Sequence, residues 1–287
     1  MYSQYPFQSN FITVDSHRLH YVDQGVGPVV IMAHGNPTWS YYYRNLISLL
    51  SKSHRVIALD HLGCGLSDKP QDYSYTLKNH ISNLESLVDQ LSIEDFSLVV
   101  HDWGGAIGFG LAGRRPDHVQ KIVVLNTAAY RSSRIPFRIQ ICRWPVIGPL
   151  IVRGLNGFAG PAVHMAVTKK MKREVVDGFL GPYDSWQNRV AINAFVRDIP
   201  LAEDHPSYST LVEVEENLQN LADVPLLICW GGRDFCFNDH FYEEWRNRFP
   251  QAQCHYFPDG GHYILEDEFS AVADLVENFF GGGEEQQ

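Results

Sequence analysis

FSLVVHDWGG, residues 96–105, carries an apolar, strand-like run into a tight glycine-bounded turn, and AIGFGLAG, residues 106–113, continues it as a helix of small residues. This is the layout of a nucleophile elbow, in which a reactive side chain sits on a strained strand-to-helix turn at the carboxyl edge of a sheet. The elbow residue here is Asp102. The Gly104–Gly105 pair lets the backbone turn closely, and a helix amino terminus behind Asp102 would stabilise a carboxylate and offer the Trp103 N–H to a developing oxyanion. Standing alone, D-x-G-G reads equally as a helix N-cap, so the assignment depends on what surrounds it.

Short apolar runs bounded by turn signals occur on both sides of the elbow strand: Val29–Ala33, Val56–Leu59 and Ile122–Leu125. They alternate with helix-like segments such as Leu77–Leu91, where Leu77, Ile81, Leu84, Leu87, Val88 and Leu91 share one face. Continuous apolar strands separated by helices predict an α/β fold with a mostly parallel, doubly wound sheet covered on both faces. After Asn126 the rhythm stops, and the chain reads as Pro/Gly-punctuated short helices. Strand grammar returns at Pro225–Trp230 and His255–Phe257, followed by a helix around Glu268–Phe280. The expected organisation is a main domain at 1–127 and 213–287 with a helical cap at 128–212. The GGGEEQQ tail is expected to be loose.

The chain has 287 residues, 45% hydrophobic and 20% charged, with 23 Gly and 15 Pro, which excludes collagen-like, coiled-coil and largely disordered classes. Its five cysteines, 64, 142, 229, 236 and 254, form no CxxC pair, so neither a disulfide framework nor a structural zinc site is expected. MYSQYPFQSN lacks a signal-peptide pattern, and no apolar run is long enough to span a bilayer, so a cytoplasmic protein is expected. The formal charge of −10 argues against nucleic acid as a partner. It hides a contrast: from His118 through Arg173 there are ten Lys/Arg and no Asp or Glu.

Three further motifs turn the elbow into a site. HGNPTWS, residues 34–40, follows an apolar strand; its backbone beyond His-Gly can offer a second oxyanion N–H, and Asn36 can point inward. DGGHYILED, residues 259–267, would project His262 from a glycine pair after a strand. WGGRDF, residues 230–235, places Asp234 just past another strand, where it could accept the imidazole N–H and fix its tautomer. A lone histidine or a turn aspartate is commonly structural. Nucleophile, acid and histidine in this chain order, each just past a strand, match the order of α/β-hydrolases.

The sequence resembles an α/β-hydrolase of the haloalkane dehalogenase family over nearly its whole length: HGNPTWSYYYRNL, DHLGCGLSDKP, VVHDWGGAIG, WGGRDFCF and DGGHYILED fall in order. The resemblance implies the α/β-hydrolase fold with a cap. It also implies Asp102 as nucleophile, His262 as base, Asp234 as its carboxylate partner, and Asn36 and Trp103 as holders of the departing halide. One branch of that family places its acid after the preceding strand, but this chain has no carboxylate between Asp117 and Glu174. The Asp234 placement, with NTAAY, PYDSW and FVRDIPL, is most similar to the third dehalogenase subfamily. That subfamily overlaps in sequence with β-lactone decarboxylases of long-chain olefin synthesis.

The leading expectation is hydrolysis of a small apolar haloalkane through an alkyl-aspartate ester, releasing halide. The alternative is decarboxylation of a long-chain cis-β-lactone to an alkene, and the five site residues do not separate the two. A serine esterase needs Ser at the elbow. An epoxide hydrolase would need cap tyrosines, for which Tyr130, Tyr183 and Tyr208 are candidates, and a non-catalytic scaffold is a further alternative. Neither cofactor nor metal is expected, because no ligand spacing or phosphate loop occurs. Trp144, Phe158, Phe179, Trp186 and Phe195 are candidate pocket aromatics, with core packing the commoner role for any one of them. The run RSSRIPFRIQICRWPVIGPLIVR, residues 131–153, interleaves Arg with apolar residues. It suits a homo-oligomer contact, association with a membrane surface or with other enzymes, or a solvated cap whose arginines pair with carboxylates of the main domain.

Overall fold

In a computed structural model, which describes residue 2 and residues 4–281, the chain builds an eight-stranded sheet. The strands are β1 Asn10–Val14, β2 His17–Gln24, β3 Val29–Ala33, β4 Arg55–Leu59, β5 Phe96–Asp102, β6 Val119–Thr127, β7 Leu226–Gly231 and β8 Gln253–Phe257. Their spatial order is β1-β2-β4-β3-β5-β6-β7-β8. All neighbours from β4 to β8 pair in parallel, whereas β1–β2 and β2–β4 are antiparallel. The hairpin β1–β2 is the part that apolar runs do not announce, since its strands NFITV and HRLHYVDQ are half polar. Of the tail, residues 282–287 lie outside the described residues.

The apolar runs are continuous because each central strand is buried on both faces. Ile31, Leu98, Val100, Ile122, Val124 and Ile228 pack into the core on one side. Their neighbours Val30, Met32, Val99, Val123, Leu125 and Leu227 pack into the core on the other, as the period of two requires. The helix Leu77–Gln90 starts at Thr76, whose side chain accepts from the Asn79 N–H, and turns Leu77, Ile81, Leu84, Leu87 and Val88 onto the sheet. Burying each such side chain is worth roughly 1.5–3 kcal/mol.

Between β6 and β7 the chain is helical and irregular throughout, with Phe137–Cys142, Ala159–Met165, Arg173–Leu180 and Val190–Arg197 among its helices. The boundary expected at 212 falls inside the helix Tyr208–Asn217, which packs against the helix Trp103–Arg114 behind the elbow.

Candidate active site

β5 ends in Asp102, whose backbone adopts φ 51° and ψ −125° as the N-cap of the helix Trp103–Arg114. This left-handed geometry is costly for a residue with a side chain and is characteristic of a nucleophile elbow. The crossing is close on every side. A Cβ at Gly104 would overlap the Ala33 carbonyl at the end of β3, and one at Gly35 would overlap the Asp102 carboxylate itself. These contacts explain the glycines of HGNP and DWGG: they let β3 and β5 bring the Asn36 backbone onto Asp102. The Asn36 N–H donates to Asp102 Oδ1 at 2.6 Å.

The loop bearing Asn36 is held by paired histidine rings. His34 Nδ1–H donates to the Gly35 carbonyl at 2.7 Å, and His34 Nε2 accepts the His61 N–H at 3.0 Å. His61 Nε2–H in turn donates to the His34 carbonyl at 2.9 Å. Next to them, buried Asp60 accepts from His20 Nδ1, the Ser40 N–H and the Leu66 N–H, each at 2.8 Å. Burial opposes its charge, yet His20 and these donors hold the Asp60 carboxyl down to about 2.

β7 and β8 deliver the remaining partners. His262 Nδ1 lies 2.7 Å from Asp234 Oδ2, and His262 Nε2 lies 3.6 Å from Asp102 Oδ2. Asp234 Oδ1 accepts the Cys236 and Phe237 N–H groups at 2.7 and 3.0 Å, so the carboxylate is fixed before the histidine is considered. Burial raises the Asp102 pKa, offset in part by His262 and the Asn36 and Trp103 N–H groups. Burial opposes the imidazolium of His262, but the Asp234 and Asp102 carboxylates outweigh it and raise its pKa.

All five residues named from the sequence come together. Asn36, Asp102, Trp103 and His262 line one cavity of about 460 Å³, and Asp234 stands behind His262. The volume lies in the range usual for small-molecule sites. The remaining wall is mostly aliphatic, with Ile139, Ile151, Met165, Val196 and Leu211 prominent. Asn36 Nδ2 donates one N–H to the Ile192 carbonyl at 3.2 Å, and its amide carries a second. Of the five expected cap aromatics only Phe158 lines the cavity. Phe179 instead stacks on Tyr263, Phe195 on His80, and Trp144 and Trp186 face solvent, with Arg153 over the Trp186 ring. Of the epoxide-type tyrosines, Tyr130 lines the cavity but its OH donates to the Phe241 carbonyl, Tyr183 OH donates to the Thr38 carbonyl, and neither Tyr183 nor Tyr208 is in the cavity wall.

Two residues that sequence reasoning missed support the site. Asn126, at the end of β6 with φ 35°, donates to Asp234 Oδ2 and the Gly231 carbonyl, both at 3.0 Å, and accepts the Gly231 N–H at 2.8 Å. It stands beside the place where one dehalogenase branch carries its acid, the one signal that could have marked it. Asp267, the last residue of DGGHYILED, accepts the Gly261 N–H at 2.8 Å and the Thr168 and Lys169 N–H groups at 2.8–3.0 Å. It thereby ties the histidine loop to the cap, a contact no spacing rule predicts.

A family model described as the α/β hydrolase fold matches residues 28–142, and with this sheet, elbow and cavity the protein is an α/β-hydrolase. Among its relatives, the cis-3-alkyl-4-alkyloxetan-2-one decarboxylase of Shewanella oneidensis is 44% identical over 281 residues, covering 96% of this chain and 88% of the relative. The enzyme of that name from Xanthomonas campestris pv. campestris is 38% identical over 274 residues, covering 91% of each. Haloalkane dehalogenase 2 of Mycobacterium tuberculosis is 28% identical over 282 residues, covering 96% of each. The crystal structure of haloalkane dehalogenase DbeA from Bradyrhizobium elkani superposes with a TM-score of 0.89 at 25% identity, covering 96% of this chain and 98% of that one. The chain belongs to the haloalkane dehalogenase family of α/β-hydrolases, in the part of it that overlaps with the β-lactone decarboxylases.

Proposed function

We propose that the protein is a cis-3-alkyl-4-alkyloxetan-2-one decarboxylase, converting a β-lactone with two alkyl substituents into an alkene and carbon dioxide. The observation that carries this reading is the 44% identity to a decarboxylase over 96% of the chain, against 28% to a dehalogenase over the same span. The wall fits the substrate: it is largely aliphatic, with Asn36, Asp102, Trp103 and His262 among its few polar groups and Arg134 and Arg138 also lining it.

The chemistry follows from groups in place. Asp102 attacks C4 of the lactone; the C4–O bond breaks, and its electrons go to the ring oxygen, leaving a carboxylate on C3 and an alkyl ester on Asp102. Asn36 and Trp103 donate to that carboxylate as they would to a halide. The bond from C3 to the carboxylate carbon then breaks. Its electron pair forms the C3–C4 double bond, the C4–O bond to Asp102 breaks, and carbon dioxide leaves with the Asp102 carboxylate restored. No water is consumed. His262, held by Asp234, supplies positive charge beside two successive carboxylates.

The dehalogenase reading is kept because DbeA shares the fold so closely and because the same donors suit a halide. There His262 deprotonates a water that hydrolyses the Asp102 ester. The deciding experiment is a paired assay on the purified protein, alkene from a cis-β-lactone against bromide from a 1-bromoalkane. A kcat/KM for the lactone far above that for the bromoalkane is expected; bromide release without alkene would refute the decarboxylase.

A further inference from the structure

Within the cap, Phe137, Val146 and Leu155 are 71%, 73% and 80% exposed, and Trp144, Ile147 and Leu150 are exposed beside them. Apolar residues this open are ordinary when scattered, but these six fall within nineteen successive positions of the chain, 137–155. Arg134, Arg138, Arg143 and Arg153 are interleaved with them, and no acidic residue occurs from 118 to 173. Arg131 and Lys169, at the margins, are neutralised by Glu215 and Glu268. By contrast, among the described residues, the Arg138 side chain meets only the Met165 sulfur, and that of Arg153 only Gln71 and the Trp186 carbonyl and ring. The same segment leads into the site: exposed Arg134 and Arg138 and the half-buried Ile135, Ile139 and Ile151 also line the cavity.

We propose that residues 134–155 form a docking face for an anionic lipid bilayer, with the mouth of the cavity set against the membrane. Charge selects this occupant. The stretch 118–173 carries +10 on a chain of −10, so the remainder carries −20 and is repelled by an anionic surface while this face is drawn to it. A second copy meeting through this face would set arginines against their own equivalents, which disfavours a two-fold contact. Exposed Phe, Trp, Val and Leu between the arginines supply the apolar side chains that enter the acyl boundary. The consequence for substrate entry, that an apolar lactone passes from the bilayer into the cavity, rests on the proposed function; the docking itself does not.

The test is co-sedimentation of the full chain with phosphatidylcholine vesicles, with and without phosphatidylglycerol, beside the triple variant Phe137→Ser, Val146→Ser, Leu155→Ser. None of these three lines the cavity. Each arginine near an anionic leaflet is worth about fivefold in partitioning, so binding at least about tenfold stronger to the anionic vesicles is expected, lost on raising the salt. The variant, checked for folding by circular dichroism, should lose roughly tenfold of that binding. Equal or absent binding to both vesicle types, or a folded variant that binds undiminished, overturns the proposal. So does a dimer that the variant abolishes while vesicles stay unbound, or capture of polyglutamate without vesicle binding. Vesicle binding without alkene formation would remove the proposed substrate and leave the docking face standing.

Discussion

Asn126 Nδ2 sits 3.0 Å from Asp234 Oδ2, the same oxygen that lies 2.7 Å from His262 Nδ1. The amide thus sets where the carboxylate meets the imidazole, and through it where His262 stands relative to Asp102. Asn126→Ala should therefore lower kcat by on the order of 10², with KM little changed, because a small displacement of a reacting group is this costly. It also leaves the buried Gly231 N–H unpaired, for about 1–3 kcal/mol of stability. Steady-state kinetics with a denaturation curve would check both, and unchanged kcat in a folded variant would dismiss the role.

Replacing Asp102, the proposed nucleophile, tests the chemistry directly. Asp102→Asn should cut turnover on the order of 10⁴-fold or more, since an amide cannot form the ester. Labelled water separates the two readings on the native enzyme. After many lactone turnovers in water enriched in heavy oxygen, mass spectrometry should find the Asp102 carboxylate unlabelled, because no hydrolysis occurs. After haloalkane turnovers it should be labelled, because water enters through that carboxyl group.

The pH dependence has a definite sign. Burial lifts the Asp102 pKa, so kcat/KM should begin to fall on acidification above the ordinary carboxylate range. A carboxyl whose folded pKa is raised binds its proton more tightly when folded, so the ionised form costs stability above the unfolded pKa. Asp102→Asn should accordingly be more stable than the native chain at pH 7, measured by thermal or urea unfolding. A less stable variant would argue that the N–H donors, not burial, dominate at this carboxylate.

Asp60 behaves oppositely. Its folded pKa is depressed to about 2, so it contributes stability that is present above the unfolded carboxylate pKa and lost as pH falls through the folded value. The linkage is worth about 2 kcal/mol. Asp60→Asn weakens the acceptor that holds His20 Nδ1 and the Ser40 and Leu66 N–H groups, for a loss of about 1–3 kcal/mol. Urea titrations at pH 7 and pH 3 give the comparison; equal stability at both would contradict it.

Gly35→Ala places a methyl group on the Asp102 carboxylate. The expected result is a chain that folds but has lost at least about 10² in kcat/KM, because the Asn36 N–H can no longer reach Asp102 at 2.6 Å. Circular dichroism and the paired product assay distinguish this from unfolding.

The central sheet and the elbow were legible in the chain because their causes are local. A strand buried on both faces is apolar along its central run, as in Val29–Ala33 and Leu98–Val100, and a tight strand-to-helix crossing demands glycine, as in DWGG. The order Asp102, Asp234, His262 reflects the chain order of the strands that carry them, so sequence alone determined the site's five residues as candidates and the family's fold. It did not reveal the β1–β2 hairpin, whose half-polar strands carry a weak periodic signal. Nor did it show the roles of Asn126 and Asp267, or which cap aromatics face the cavity. Those depend on contacts between segments about 100 residues apart, such as Asn126 with Asp234 and Thr168 with Asp267, where no spacing within either segment records the partner. Phe179 and Phe195 have the composition of pocket residues, but packing turned them onto Tyr263 and His80; only the tertiary structure sets the direction in which such a side chain points.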